Sequence, residues 1–220
     1  MRNTTAPAST ALRRQLQDGA DRKRVGPMDV FRLTRDKWTQ GEKVEIASLA
    51  EELGVSRVTI FRWIGSRELL LGEVIWSLCK PLWQQAVEEA KGTGPDFMAE
   101  VSFNIMSLIL QAEPLKVFLD QDPEYALRIL TSKTSVVQTN ICHEVCLLMQ
   151  QEADAGRFTP PLPIDDLGYV IVRIVESFIY SDQIVGRKPN LEIGREAIRA
   201  LLSSGNKSQR PARAARKGSC

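Results

Sequence analysis

The sequence has no long apolar run. None reaches the roughly 18 residues that a bilayer-spanning helix needs, although 43% of the 220 residues are apolar. The chain therefore reads as globular, with no membrane partner. Its opening stretch, Met1 to Ser9, is polar and lacks the apolar segment of a secretory signal. Four cysteines at irregular spacing form no disulfide framework, and a reducing cytoplasm is the expected location. Strand signals are scarce, with no sustained period-two alternation and no Asn-Gly or Asp-Gly hairpin turn. P-loop, G-x-S-x-G and H-E-x-x-H patterns are missing, so catalysis is not expected and no cofactor is implied.

Metal-ligating residues are equally sparse. Cys142 and Cys146 are one helical turn apart and can reach a common ion. The only histidine, His143, lies on an adjacent face, and nothing nearby completes a four-ligand set. Adjacent residues on a helix diverge by about 100°, which also argues against a Cys-His nucleophilic pair. Burial in a core is the favoured reading of these thiols, and no metal is expected.

What the sequence does contain is charge asymmetry and helical periodicity. Residues 1–26 carry six Lys/Arg against two acids, residues 205–220 carry five and no acid, and residues 68–204 carry 11 against 19. Basic ends on an acidic body suit a protein that meets a polyanion at one end, although solvated tails account for the ends equally well. The polar first 25 residues and residues 205–220 are expected to be disordered basic arms. Between them the apolar spacing is helical almost throughout. Breakers such as Gly26-Pro27, Gly54, Gly65, Pro81, Gly92-Gly94-Pro95, Pro114, Pro123 and Pro160-Pro161-Pro163 divide it into about nine or ten helices. The expected fold is all-α, with a DNA-binding unit over 26–70 and a larger helical bundle over 71–204.

Three short helices lie between Pro27 and Ile64. The first presents Phe31, Thr34 and Trp38 on one face. The second carries an apolar stripe at Ile46, Leu49, Ala50 and Leu53 and stops at Gly54, a residue able to take positive φ. The third opens at Ser56 as N-cap, with Val55 and Ile60 spaced for a hydrophobic staple. A Leu53-Gly54-Val55-Ser56 turn between two short helices is the geometry of a helix-turn-helix. Its third helix leaves Arg57, Val58, Thr59, Arg62 and Trp63 free for a groove. Arginine suits guanine edges or phosphates, threonine a phosphate or base edge, and valine a thymine methyl.

Residues 43–75 resemble the DNA-binding signature of the TetR family. The shared features are Ile46-Ala47 on the second helix, the Gly54-Val55-Ser56 turn, the Thr59-Ile60-Phe61 step and the Arg67-Glu68-Leu69-Leu70 start of a fourth helix. The resemblance implies double-stranded DNA as partner, bound at an inverted repeat by a homodimer. It puts Ser56, Thr59 and Phe61 at backbone phosphates, Arg57, Arg62 and Trp63 on the groove side, and Arg67 at a phosphate-binding position. Lys43 opens the matching segment and joins the expected DNA contacts. Phe61 replaces the family's usual tyrosine and loses a hydroxyl donor. Ser66 caps the fourth helix, whose N-terminal dipole then also favours phosphate.

Downstream, aromatic and sulfur side chains gather. Core packing is the favoured reading for most, but a ligand chamber between helices is built from the same mixture. Trp76, Trp83, Phe103, Met106, Tyr125 and Cys146 are its candidate lining. On a helix expected from Asp165 to Val185, Tyr169, Arg173, Glu176 and Tyr180 are spaced 4, 3 and 4 among apolar neighbours. A partly buried polar ladder of this kind fits an effector pocket or a dimer seam. Residues 113–134 and 168–190 are similar to an actinobacterial TetR subfamily, the QsdR type, whose namesake regulates degradation of quorum-sensing lactones. That similarity implies a small-molecule effector of lactone or acylated-lactone class. The expected function is a DNA-binding regulator, a repressor released by its effector and dimeric through its last two helices, Asp165–Val185 and Leu191–Ser203. The alternative is a constitutive dimeric DNA-binding or architectural protein with a filled core.

Overall fold

A computed structural model describes residues 25–132, 134–182, 186 and 188–207. The expected N-terminal arm, up to residue 24, and most of the expected tail, from residue 208, lie outside these residues. Among the described residues there are ten α-helices and no strand. They are α1 (Pro27–Thr39), α2 (Ile46–Leu53), α3 (Arg57–Ile64), α4 (Arg67–Glu89), α5 (Gly94–Leu110), α6 (Glu113–Gln121), α7 (Pro123–Thr131), α8 (Val136–Asp154), α9 (Ile164–Ile179) and α10 (Leu191–Lys207). Among the described residues no helix is long and apolar enough to cross a membrane.

Two apolar cores lie along one beam, α4. Its first half sends Leu70, Leu71, Val74 and Ile75 into a core shared with α1–α3, α6 and α7. Its second half sends Trp83 and Ala86 into a core shared with α5, α8, α9 and α10. At 23 residues and about 1.5 Å per residue, α4 is roughly 35 Å long, so a tilt at one end displaces the other.

The break expected at Pro81 does not occur, and α4 continues through Pro81 to Glu89. Lys80 and Pro81 are both exposed, so the proline ring sits on the solvent side, where a curved helix best tolerates a missing hydrogen bond. Two further boundaries differ. Helix α9 ends at Ile179 rather than Val185, with Tyr180 leaving helical geometry at φ −97°, ψ 13°. Helix α10 runs past Ser203 into the expected tail. In α1 the innermost residues are Val30, Thr34 and Trp38, and Phe31 is only half-buried beside them.

Close helix approach in the second of these cores depends on one glycine. A Cβ on Gly168 of α9 would lie 2.4 Å from Cys146 Sγ of α8, so only glycine lets these helices meet as they do. The far end of α8 is tied to α5 by Glu152, which is buried. Its carboxylate accepts from Gly94 N at 2.7 Å and from both Nε (2.9 Å) and Nη2 (2.7 Å) of Arg157. A fully bonded carboxylate of this kind fixes geometry where an unpaired one would be expelled.

Candidate functional site

The turn between α2 and α3 forms as its residues dictate. Gly54 closes α2 in the left-handed region at φ 65°, ψ 32°. Ser56 Oγ then accepts from Thr59 N at 3.1 Å and shares a hydrogen bond with Thr59 Oγ1 at 2.9 Å. Val55 packs on the same core that contains the fully buried Ile60, which anchors α3 by one face. The opposite face, Arg57, Val58, Phe61 and Arg62, is exposed, with Val58 78% and Phe61 44% accessible. Apolar side chains this exposed on a basic helix add little to the core, and are of a kind that can meet thymine methyls in a groove.

Helix α4 begins with the same device, Ser66 Oγ accepting from Leu69 N at 3.1 Å. Its first residue, Arg67, does not hang free. The guanidinium lies 4.9 Å from the Tyr125 ring centroid and 3.9 Å from Glu45. Lys43 is exposed and pairs with Glu45 at 3.0 Å. Together these neighbours hold the Glu45 carboxyl below its ordinary range, Lys43 contributing most.

Between α4, α5, α8 and α9 lies a chamber with a free volume of about 60 Å³. Trp76 and Trp83 from α4, Ile141 and Val145 from α8, and Ile171 and Val175 from α9 supply its apolar wall. Glu176 and Tyr180 provide polar groups at one end. Burial raises the Glu176 carboxyl to about 7, against the opposing pull of Arg173, whose Nη1 lies 3.0 Å away. Burial also pushes the Tyr180 phenol far above its ordinary range, so it stays a hydrogen-bond donor. The buried Cys79 thiol is pushed up to about 11 by the same cause and stays protonated.

Residues 93–203, about half of the chain, match the family described as tetracyclin repressor-like, C-terminal domain. The chain belongs to that family. Members of the TetR family are helix-turn-helix transcription regulators that bind operator DNA, dimerise and take small-molecule effectors. Among solved structures, the R. erythropolis transcriptional repressor QsdR is 24% identical with a TM-score of 0.74, covering 80% of this chain and 94% of its own. The FadR regulator of Bacillus subtilis, solved with stearoyl-CoA, is 15% identical with a TM-score of 0.50, covering 81% and 98%. A protein of unknown function from Rhodococcus sp. RHA1 is 14% identical with a TM-score of 0.53, covering 84% and 98%. At these identities the likeness is one of fold. No curated protein sequence matches the chain.

In this TetR-family chain the residues expected to read DNA divide in two. Arg57, Val58, Phe61 and Arg62 share the exposed face of α3, with Thr59 half-buried beside them. Trp63 does not join them. It is half-buried against the N-terminal core, because its position turns it toward the body that Ile60 anchors.

The expected chamber residues divide further, and only Trp76, Trp83, Glu176 and Tyr180 line the cavity. Phe103 lies beneath the Arg195 guanidinium of α10, 5.1 Å away. Met106 is fully buried in the N-terminal core. Tyr125 faces the DNA-binding unit, because α6 and α7 fold back under it. Cys146 lies against α9, its thiol 3.7 Å from Ile164 O. Tyr169 is 55% exposed beneath Arg173, and Arg173 stands beside Glu176 outside the wall. Among the described residues no group of three metal-ligating side chains is assembled. Ile141, Val145, Ile171 and Val175, which are not among the expected lining, complete the wall, and their helical spacing on α8 and α9 is the signal that marks them.

Proposed function

We propose that the chain is a transcriptional repressor that binds an inverted-repeat operator as a homodimer and leaves it when a small effector enters the α4–α5–α8–α9 chamber. The observation that carries the reading is Glu176. A carboxyl set in an apolar wall costs stability and does nothing for packing, whereas with its pKa raised to about 7, beside the Tyr180 hydroxyl and the Arg173 guanidinium at 3.0 Å, it offers a bound molecule a cluster of polar contacts.

The Tyr180 donor and the polar cluster beside it, at one end of an apolar chamber, favour an effector with an apolar body and a carbonyl-type acceptor. A lactone or acylated lactone has that chemistry, in keeping with the QsdR-type resemblance of residues 113–134 and 168–190. Entry of such a molecule must push Trp76 and Trp83 away from the facing wall of α8 and α9, since about 60 Å³ holds little more than a water or two. Both tryptophans sit on α4, so opening the chamber tilts the beam that carries Arg67 and α3. A ligand that binds only the tilted form releases DNA, and one that binds both forms equally does not. Tyr169, Val170 and Ile193 on α9 and α10 are exposed apolar side chains, which supports a dimer seam over the last two helices.

The tight chamber also favours the alternative, a constitutive dimeric DNA-binding protein. Titrating lactones of graded acyl-chain length into the protein–operator complex separates the two, with DNA fluorescence anisotropy as readout. Release by a lactone, reduced by Tyr180→Phe at about 1–3 kcal/mol of coupling, is the expected result. Undiminished operator binding with every lactone supports the constitutive protein.

A further inference from the structure

Helix α7 holds the aromatic ring of Tyr125 against the first turn of α4. Arg67 brings its guanidinium to 4.9 Å from the ring centroid, and Arg128, one turn further along α7, brings a second to 5.1 Å. The phenol donates to Glu68, in the same turn of α4, at 3.5 Å. A cation over an aromatic ring is attracted by the ring's quadrupole, and here two cations share one ring. Phe118 braces that ring edge-on at 6.3 Å.

The helix that carries the ring is itself tied at both ends. Asp122 caps its start, the carboxylate accepting from Tyr125 N at 3.1 Å, and Thr131 O at its end accepts from Arg173 of α9 at 3.4 Å. Arg67 is thereby confined. Its Nε is closed to solvent and Nη2 lies 3.9 Å from Glu45, while the side chain keeps 25% of its surface exposed. What remains open to a phosphate is the far end of the guanidinium. An arginine that reaches into solvent surrenders much rotamer freedom when it grips a phosphate. One already held in a single geometry has surrendered it beforehand, and binding is tighter by that amount.

We propose that Tyr125 is a positioning residue for DNA binding, its ring holding Arg67 in the orientation that meets a backbone phosphate. The inference rests on the reading that gives Arg67 a phosphate. It puts part of the DNA affinity in α7, within residues 93–203, and not in the helix-turn-helix alone.

Binding to a fluorescein-labelled duplex of mixed sequence, followed by anisotropy across a salt series, tests the proposal, because phosphate contacts do not depend on sequence. Tyr125→Leu removes the ring and keeps an apolar side chain. It is expected to weaken binding about threefold per protomer, the size of an exposed cation–π contact, and to lower the salt slope in the same direction as Arg67→Ala. The ring acts through the guanidinium, so adding Tyr125→Leu to Arg67→Ala costs nothing more. Tyr125→Phe keeps the ring and recovers the parent's slope. Arg67→Lys keeps the charge but not the planar stack, and binds more weakly than the parent whether or not the leucine variant folds.

The proposal is overturned if Tyr125→Leu, folded by circular dichroism, keeps the parent's affinity and slope, or if its loss and that of Arg67→Ala add. It is equally overturned if Tyr125→Phe loses as much as Tyr125→Leu, or if Arg67→Lys matches the parent. An unchanged slope in Arg67→Ala removes the phosphate reading itself, and the proposal with it.

Discussion

Replacing Glu176 by glutamine keeps the side chain's shape and removes its titration. The carboxyl moves from the ordinary 4.5 to about 7 on folding, and each pKa unit is worth about 1.4 kcal/mol. Because Arg173 beside it is one-third exposed and solvent screens the pair, the effect on stability is on the order of 2 kcal/mol. The sign follows from linkage. Below the unfolded-state value, both states hold the proton and the folded protein bears no penalty. As pH rises from there through about 7, the unfolded chain ionises first and stability is lost. Above that value, the full cost persists. Glutamine bears none of it, so Glu176→Gln and the parent should be nearly equally stable in acid, with the variant gaining as pH rises to about 8. Urea unfolding followed by circular dichroism, at one protomer concentration across this range, measures the difference directly. If the two stability curves run parallel in pH, the carboxyl ionises freely in the folded protein and is not a buried donor.

Three other outcomes follow from the same geometry. Arg62→Ala should cost about 1–3 kcal/mol of operator affinity and relax preference at one base position, read by anisotropy against single-base operator variants. Gly54→Ala should destabilise by about 1 kcal/mol, because the backbone there sits at φ 65° with nothing within 4 Å of the new methyl, and thermal unfolding reports it. Gly168→Ala should destabilise by about 1–3 kcal/mol despite alanine's helix preference, and Cys146→Ala in the same chain should restore much of the loss, since the thiol is what the methyl strikes.

The helix-turn-helix was legible because its determinants are local. Gly54, Ser56 and Ser66 act within three or four residues of themselves, and the structure uses each for the turn or cap that its chemistry suggests. Pro81 was misread because its effect depends on which side of the helix faces water, and that is settled by packing. The ladder from Tyr169 to Tyr180 shows a similar boundary. Spacing fixes the angle at which side chains leave a helix and says nothing about what covers them at each height. Tyr180 is buried and Tyr169 is 55% exposed although they leave α9 in nearly the same direction. Tyr125 was assigned to the chamber by composition, and only the fold-back of α6 and α7 places it beside Arg67 instead. The chamber wall is mostly Ile and Val, residues that any core contains, so its position emerged from the arrangement of four helices and not from any motif.

The central claim is that the exposed face of α3 reads a defined sequence, twice, from a dimer. An operator selected from random duplex DNA, then compared by anisotropy with a scrambled duplex of equal length at one salt concentration, tests it most directly. The expected result is an inverted repeat with half-sites about 34–36 Å apart or a multiple of this, bound by two protomers, with affinity at least about a thousandfold above the scrambled duplex. Equal affinity for the two duplexes would contradict it, leaving a basic helix that holds DNA by charge alone.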